Sequence, residues 1–455
     1  MADFNAILQP LYFYLWEIIK AWWWLPAPII LGLLFQKLYR YRVTWDMWYK
    51  RIEWMVLEVK PPETLLKPFK AMDDVFGLLW CIYDSASWQE RWCEGVLERA
   101  PYWLSCEIAS IEGQIHYYFF LDRGARSLVE STIYAQYPDA EITEVEDYAK
   151  MVPQDLPNKD WNMLGEDYRL AKPDPWPILT YKAFFEEKPD VAMEEKRMDP
   201  IDSFMESLAK VPPGSQFWFQ MVCAPILNSD YPWKDQGLAI ADKIARRPAA
   251  PKAMSFGQLF LNSLKMLATG KTITDPLAKP EKALPLTKTD EGEREMLITP
   301  GEKFDLHAVE DKISKKAFLV WSRALYVYKR DSFVPGMNRL ARTYLNHFAA
   351  SSNFFLYWGG TRTKARYWLR KKRLDLRKRK IFQNYVRRLP PLYPRMESKP
   401  MFPFGWVKGK GTMILNCEEL ASIYHYPAKV GSSIISSLRP VEARKAGPPA
   451  DLPIQ

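Results

Sequence analysis

The pattern of apolar and polar positions divides the chain into a strongly apolar, aromatic opening, two runs of short alternating segments, and a basic, proline-punctuated end. Alternation in Trp54 to Val59 (WMVLEV) predicts a strand, and Leu66, Phe69, Met72, Phe76 and Leu79 recur at helical spacing within 65–83. Trp103 to Ile111 and Ile115 to Leu121 read as strands, with Glu112 and Gly113 at a tight hairpin turn. A helix over 125–137 and a strand over 140–145 complete a β-α-β-β-α-β order. That is the split βαβ, or ferredoxin-like, order.

A second copy is expected to follow. Its parts are a strand over 177–185, a helix over 199–210 capped near Asp199, strands at 216–224 and 317–329, a helix over 335–350, and a closing strand at 353–358. The interval 225–316 interrupts it, with a helix near Lys234 to Arg246 and a Pro- and Lys-rich tract at 272–299 that reads as a loop. The expected fold is therefore α+β: one or more N-terminal membrane helices (1–42), a ferredoxin-like domain (52–150), and a second one (166–360) with its insertion at 225–316. A basic segment (361–395), then a short helix and Pro-rich tail (396–455), follow. Thirty-six prolines against twenty glycines fit a body with many stiff connections.

Residues 21–36 carry no charge, and 21–39 just reach the ~20 residues a span needs. Trp22, Trp23, Trp24, Ile29, Ile30, Leu33 and Leu34 are the expected anchor residues; Pro26 and Pro28 interrupt the stretch, so an interfacial helix followed by a short span fits as well as one long span. Lys37, Arg40, Arg42, Lys50 and Arg51 follow it and no base precedes Lys20, which by the positive-inside rule implies an inner-membrane protein with its body in the cytoplasm. The segment lacks the basic start and small-residue cleavage site of a signal peptide.

Charge sharpens this picture at one place. Residues 362–395 hold fourteen Lys and Arg against Asp375 alone, a local +13 in a chain of net +9, which leaves −4 for the rest. Arg370, Lys371, Lys372, Arg373, Arg377, Lys378, Arg379 and Lys380 fall within eleven positions, interleaved with Trp368, Leu374, Ile381 and Phe382, and read as a polyanion-binding site. An anionic lipid surface and a nucleic-acid backbone both satisfy such charges. Five cysteines without CxxC spacing point to neither a disulfide framework nor a zinc site. Gly270, Lys271 and Thr272 would need a glycine where Lys265 stands to form a phosphate loop, and His116, His307, His347 and His425 fall in separate elements. The sequence therefore implies no cofactor, no metal and no catalytic residue.

The stretches KAMDDVFGLLWCIYD (70–84), VESTIYAQYPDAEITEVEDY (129–148) and LRKRKIFQNYVRRLPPLYPR (376–395) make the chain resemble an uncharacterised family of membrane-anchored proteins of ultra-small, reduced-genome bacteria. The pair NCEELASIYHYP (416–427) and EARKAGPPADLP (442–453) is similar to the element preceding the ATPase domain of type IV secretion-like coupling proteins. The resemblance implies a non-catalytic accessory or scaffold subunit of a secretion-like envelope machine, with the bilayer and a hexameric coupling ATPase as partners. A membrane-surface scaffold that binds anionic lipid or nucleic acid without a motor partner is the alternative.

Overall fold

A computed structural model of the chain describes residues 14, 16–17, 20–22, 24–41, 49–62, 68–83, 103–184, 199–228, 232–247, 298–365, 369–389, 399–401, 405–407 and 412–427. Among these residues nine strands form one continuous antiparallel sheet. In chain order they are β1 (Trp54–Lys60), β2 (Leu104–Ile111), β3 (Gln114–Asp122), β4 (Glu141–Val145), β5 (Trp161–Leu170), β6 (Ser215–Ile226), β7 (Ala317–Lys329) and β8 (Phe355–Tyr357), with β9 (Lys399–Met401) and β10 (Gly405–Val407) forming a separate hairpin before β11 (Met413–Asn416). The spatial order is β4-β1-β3-β2-β6-β7-β5-β8, with β11 on β7.

The local sequence explains the elements. Glu112 (φ 53°) and Gly113 (φ 90°) occupy the two left-handed positions of the β2–β3 turn, a geometry that matches the twist of a hairpin. The long strands β6 and β7 are buried along almost their whole length, so they read as nearly continuous apolar runs rather than alternating ones. The first residues of β7, Ala317 to Val320, take β11 along the flank where Ser322 to Lys329 take β5.

Helices cover both faces. The helices α2 (Pro68–Leu79), α3 (Arg126–Gln136), α4 (Pro200–Ala209), α7 (Leu340–Asn346) and α9 (Cys417–Ile423) pack on one face, where Phe76, Ile133, Phe204, Tyr344 and Leu420 enter a single core with strand residues. On the other face lie α8 (Arg370–Val386), the segment 148–156, and the pair α5 (Trp233–Ile244) and α6 (Pro300–Ser314). Thr299 and Glu302 cap α6 reciprocally, and Asn416 and Glu419 do the same for α9.

Three expectations are corrected. Two ferredoxin-like domains behind membrane helices do not form: β2 and β6 pair over eight positions, Leu104 with Cys223 through Ile111 with Gln216, and fuse all the strands into one sheet. Either strand left as a free edge would expose an apolar row of unpaired backbone groups, and mutual pairing removes both edges. The stretch 177–185 is not a strand; it holds a helical turn, Tyr181–Phe184, while the pairing falls to β5.

The third concerns the transmembrane helix. No described helix is long and apolar enough to cross a membrane. The helix α1 (Pro26–Tyr41) has 16 residues, about 24 Å at ~1.5 Å per residue, against the ~30 Å of a bilayer core. Pro26 and Pro28 stand in its first turn, where the missing N–H groups cost nothing, so they start the helix instead of kinking a longer one. Trp22, Trp24, Ile29, Ile30 and Leu34 are exposed; Leu33 belongs to α1, and Trp23 lies outside the described residues.

Candidate functional site

Lys and Arg, both good helix formers, dominate α8, and no Gly or Pro interrupts it, which favours a helix over its 17 residues. Arg388, at φ 51°, turns the chain out of the helix immediately before Leu389 and Pro390. Its inward side is set by the sheet: Ile381, Phe382 and Tyr385 are buried, with Phe382 and Tyr385 both against the ring of Trp218. Gly165 on β5 makes the approach possible, because a Cβ there would lie 2.3 Å from Leu325 Cδ2 and 3.2 Å from Ile381 Cδ1.

The outward side carries the charge. Arg370, Lys371, Lys372, Arg373, Arg379 and Lys380 are exposed, as are Leu376, Gln383 and Arg387. Four bases occupy the first turn with no acid and no side-chain cap, so their charge adds to the positive end of the helix dipole instead of opposing it. The arrangement is unfavourable for an isolated helix. Packing on the sheet has to supply the compensation, and an anion near this end would relieve the repulsion.

Two of the eight expected site residues do not face outward. Lys378 is buried and its Nζ donates to Asn162 Oδ1 at 2.6 Å; burial pushes its pKa below the ordinary lysine value. Arg377 is half-buried and its Nη1 donates to the carbonyls of Arg362 (3.2 Å) and Lys364 (2.6 Å). Two runs of four bases, each longer than one turn of a helix with 3.6 residues per turn, cover every side of it, so some of them had to meet the body of the protein. Gly270, Lys271 and Thr272 lie outside the described residues. Among the described residues no group of three or more His, Cys, Asp and Glu is placed to hold a metal ion.

Beneath the end of α8 runs a buried polar row that periodicity and charge density do not reveal. Glu107 on β2, Gln220 on β6, Arg323 on β7 and Asp167 on β5 are successive cross-strand neighbours. Glu107 accepts from Ser105 Oγ (2.7 Å), Gln220 Nε2 (2.7 Å) and Tyr148 OH (2.7 Å), and from Arg388 through Nε (2.9 Å) and Nη2 (3.0 Å). Arg388 also donates to Asp147 at 2.6 and 2.9 Å and to the Val386 carbonyl at 2.7 Å, so all five of its N–H groups are used. Burial alone would lower the guanidinium pKa, but Glu107 and Asp147 outweigh it and hold Arg388 firmly charged. Burial keeps the Tyr148 and Tyr385 phenols protonated, and since Tyr148 donates to Glu107, Tyr385 donates to Tyr148 across 2.6 Å.

Arg323 donates through Nε to Asp167 (3.0 Å) and through Nη2 to the Leu389 carbonyl (2.7 Å). Sheet and helix end are thus joined by two buried arginines. The signal for the row in the sequence is the charged or amide residues set inside mostly apolar strands: Glu107 in LSCEIASI, Gln216 and Gln220 in QFWFQMV, Arg323 in WSRALYV, and the charged trio Glu166, Asp167 and Arg169 in LGEDYRL. This row is sealed and structural in geometry, while the outer face of α8 is the accessible chemistry. No protein-family model matches the chain, and neither a curated protein nor a solved structure shows significant similarity to it.

Proposed function

We propose that this chain is a non-catalytic accessory subunit, a rigid platform that holds the phosphate backbone of a nucleic acid against the outer face of α8. The observation that carries the reading is the orientation of that helix: six of its bases are exposed while its opposite side is fixed to the sheet by Tyr385, Arg388 and Leu389. A fixed row of cations contributes affinity through counterion release, and pre-ordering reduces the entropy lost on binding. Nucleic acid is favoured over lipid because, among the described residues, the outward face sets just Leu376, and Leu369 at the helix start, among its bases and amides, too little apolar surface to form a stripe that enters a bilayer.

The test is fluorescence anisotropy with labelled DNA across a salt series. Replacing Arg370, Lys371, Lys372, Arg373, Arg379 and Lys380 with Gln should weaken binding and flatten the slope of log K against log salt, by roughly 0.9 for each duplex phosphate that is no longer neutralised. Binding by wild type to anionic vesicles but not to DNA would overturn the reading. The resemblance of 416–427 to an element preceding coupling ATPases supports placing the subunit beside a hexameric ATPase of a type IV secretion-like machine. Proximity labelling from the C-terminus should then enrich such an ATPase, and its absence would remove that assignment.

A further inference from the structure

Round the β8 edge of the sheet lies a second cationic cluster. Arg342 on α7 and Arg362 after β8 converge on the carboxylate of Glu166, Arg342 Nη2 at 2.5 and 2.7 Å and Arg362 Nε at 2.8 Å. Both guanidinium groups also lie over the ring of Tyr357, 4.4 and 4.6 Å from its centroid. Glu166 is buried, whereas Tyr357 is 39% exposed. One carboxylate faces two guanidinium groups here, which leaves a net positive charge and unused donors; Arg342 Nε is buried with no partner.

The cluster is joined to α8. Arg377 of α8 holds the Arg362 and Lys364 carbonyls, and Lys364 is exposed between them and the helix. Yet the two ends of this path lie on different layers. Tyr357 pairs in register with Tyr168, which belongs to the core of the α7 face, while α8 packs on the opposite face. A positive path thus leaves one face of the sheet and turns round its edge onto the other.

We infer that the nucleic acid is single-stranded, with its backbone running along α8 and then round this edge onto Arg362 and Arg342, where a base stacks on Tyr357; this rests on the reading of α8 as a phosphate track. A duplex keeps its direction over ~150 base pairs and cannot follow a turn across one sheet and its helix layer, spaced about 10 Å apart. A single strand can. Aromatic rings beside a basic groove are the general means of holding single strands without sequence preference.

The test uses the full chain, with fluorescein-labelled single-stranded DNA and a blunt duplex of equal length. Tyr357→Ala and Arg362→Gln should each weaken single-strand binding by about tenfold, the order expected for one stacked base or one charge contact, and leave duplex binding unchanged. Tyr357→Phe, which keeps the ring, should retain single-strand affinity. Ultraviolet crosslinking of the wild-type complex should map to Tyr357 by peptide mass spectrometry. Equal losses on both DNAs, no loss on the single strand, or crosslinks confined to α8 would overturn the inference. If the six Gln substitutions on α8 weaken binding but the edge variants do not, only this inference falls; if the α8 substitutions are also silent, the proposed function falls with it.

Discussion

Arg388→Met tests whether the buried network under α8 holds that helix in place. The substitution keeps an unbranched stem of similar reach but removes five N–H donors, four of which face Glu107 and Asp147. Breaking a buried ion pair by deleting one partner costs about 3–5 kcal/mol, because the remaining charge stays desolvated. The lower part of that range applies to Glu107, which keeps Ser105, Tyr148 and Gln220 as donors. Loss of the guanidinium over the Phe120 ring, 4.2 Å from its centroid, adds about 1 kcal/mol. A total of about 4 kcal/mol is therefore expected from urea unfolding followed by tryptophan fluorescence. The double variant Arg388→Met with Glu107→Gln should recover part of this loss, since it no longer buries an unpaired charge on β2. A single-variant loss below about 1 kcal/mol, or a double variant as destabilised as the sum of the singles, would refute the assignment.

Gly165→Ala should destabilise the fold by about 1–3 kcal/mol and loosen α8, since its Cβ would collide with Leu325; protease protection of α8 equal to wild type would contradict the close approach described. The His116 hydrogen bond holds the Glu58 carboxyl below the usual range, so the pair stabilises the fold above the ordinary carboxyl pKa and that contribution is lost as pH falls through the depressed folded value. Glu58→Gln should accordingly narrow the gap between stability at neutral and acid pH, and an unchanged acid limb would argue against it. Lys378→Met should leave DNA affinity as it is, because that amine faces Asn162, while replacing Arg379 should weaken binding; matched losses in the two variants would deny the inward placement of Lys378.

Local structure is more legible in the sequence than its assembly. The mostly apolar, β-branched and aromatic run 317–329 gives β7 with its observed ends, and Asp199 caps α4 as its position before Pro200 suggests. β5 escapes the pattern because Gly165, Glu166, Asp167 and Arg169 break the alternation, and only the arginines at 323, 342 and 362 make those acids tolerable in a buried strand. The fusion of the sheet is hidden for a different reason. Alternation marks a strand but does not name its neighbour, and nothing local in LSCEIASI says that it pairs with a segment more than a hundred positions away. On α8, charge density is plain but its facing is not, because helical phase depends on which side meets Trp218 and Gly165.

The placement of β11 and α9 has a bearing on how the chain is made. Residues 412–427 are buried throughout, between the flank of β7 and the core shared by α2 and α4, yet they are synthesised after every other element of the sheet. While translation proceeds, Ala317 to Val320 keep an unpaired flank, Tyr117 lacks the cover of Tyr424 and Tyr426, and the Tyr344 hydroxyl lacks its acceptor at the Ile423 carbonyl. Domains otherwise tend to fold from the N-terminus as they emerge. Here the ribosome has to deliver every other strand of the sheet before its largest core can close, so the nascent protein remains sticky until late and a release even fifteen codons before Pro427 leaves that core open.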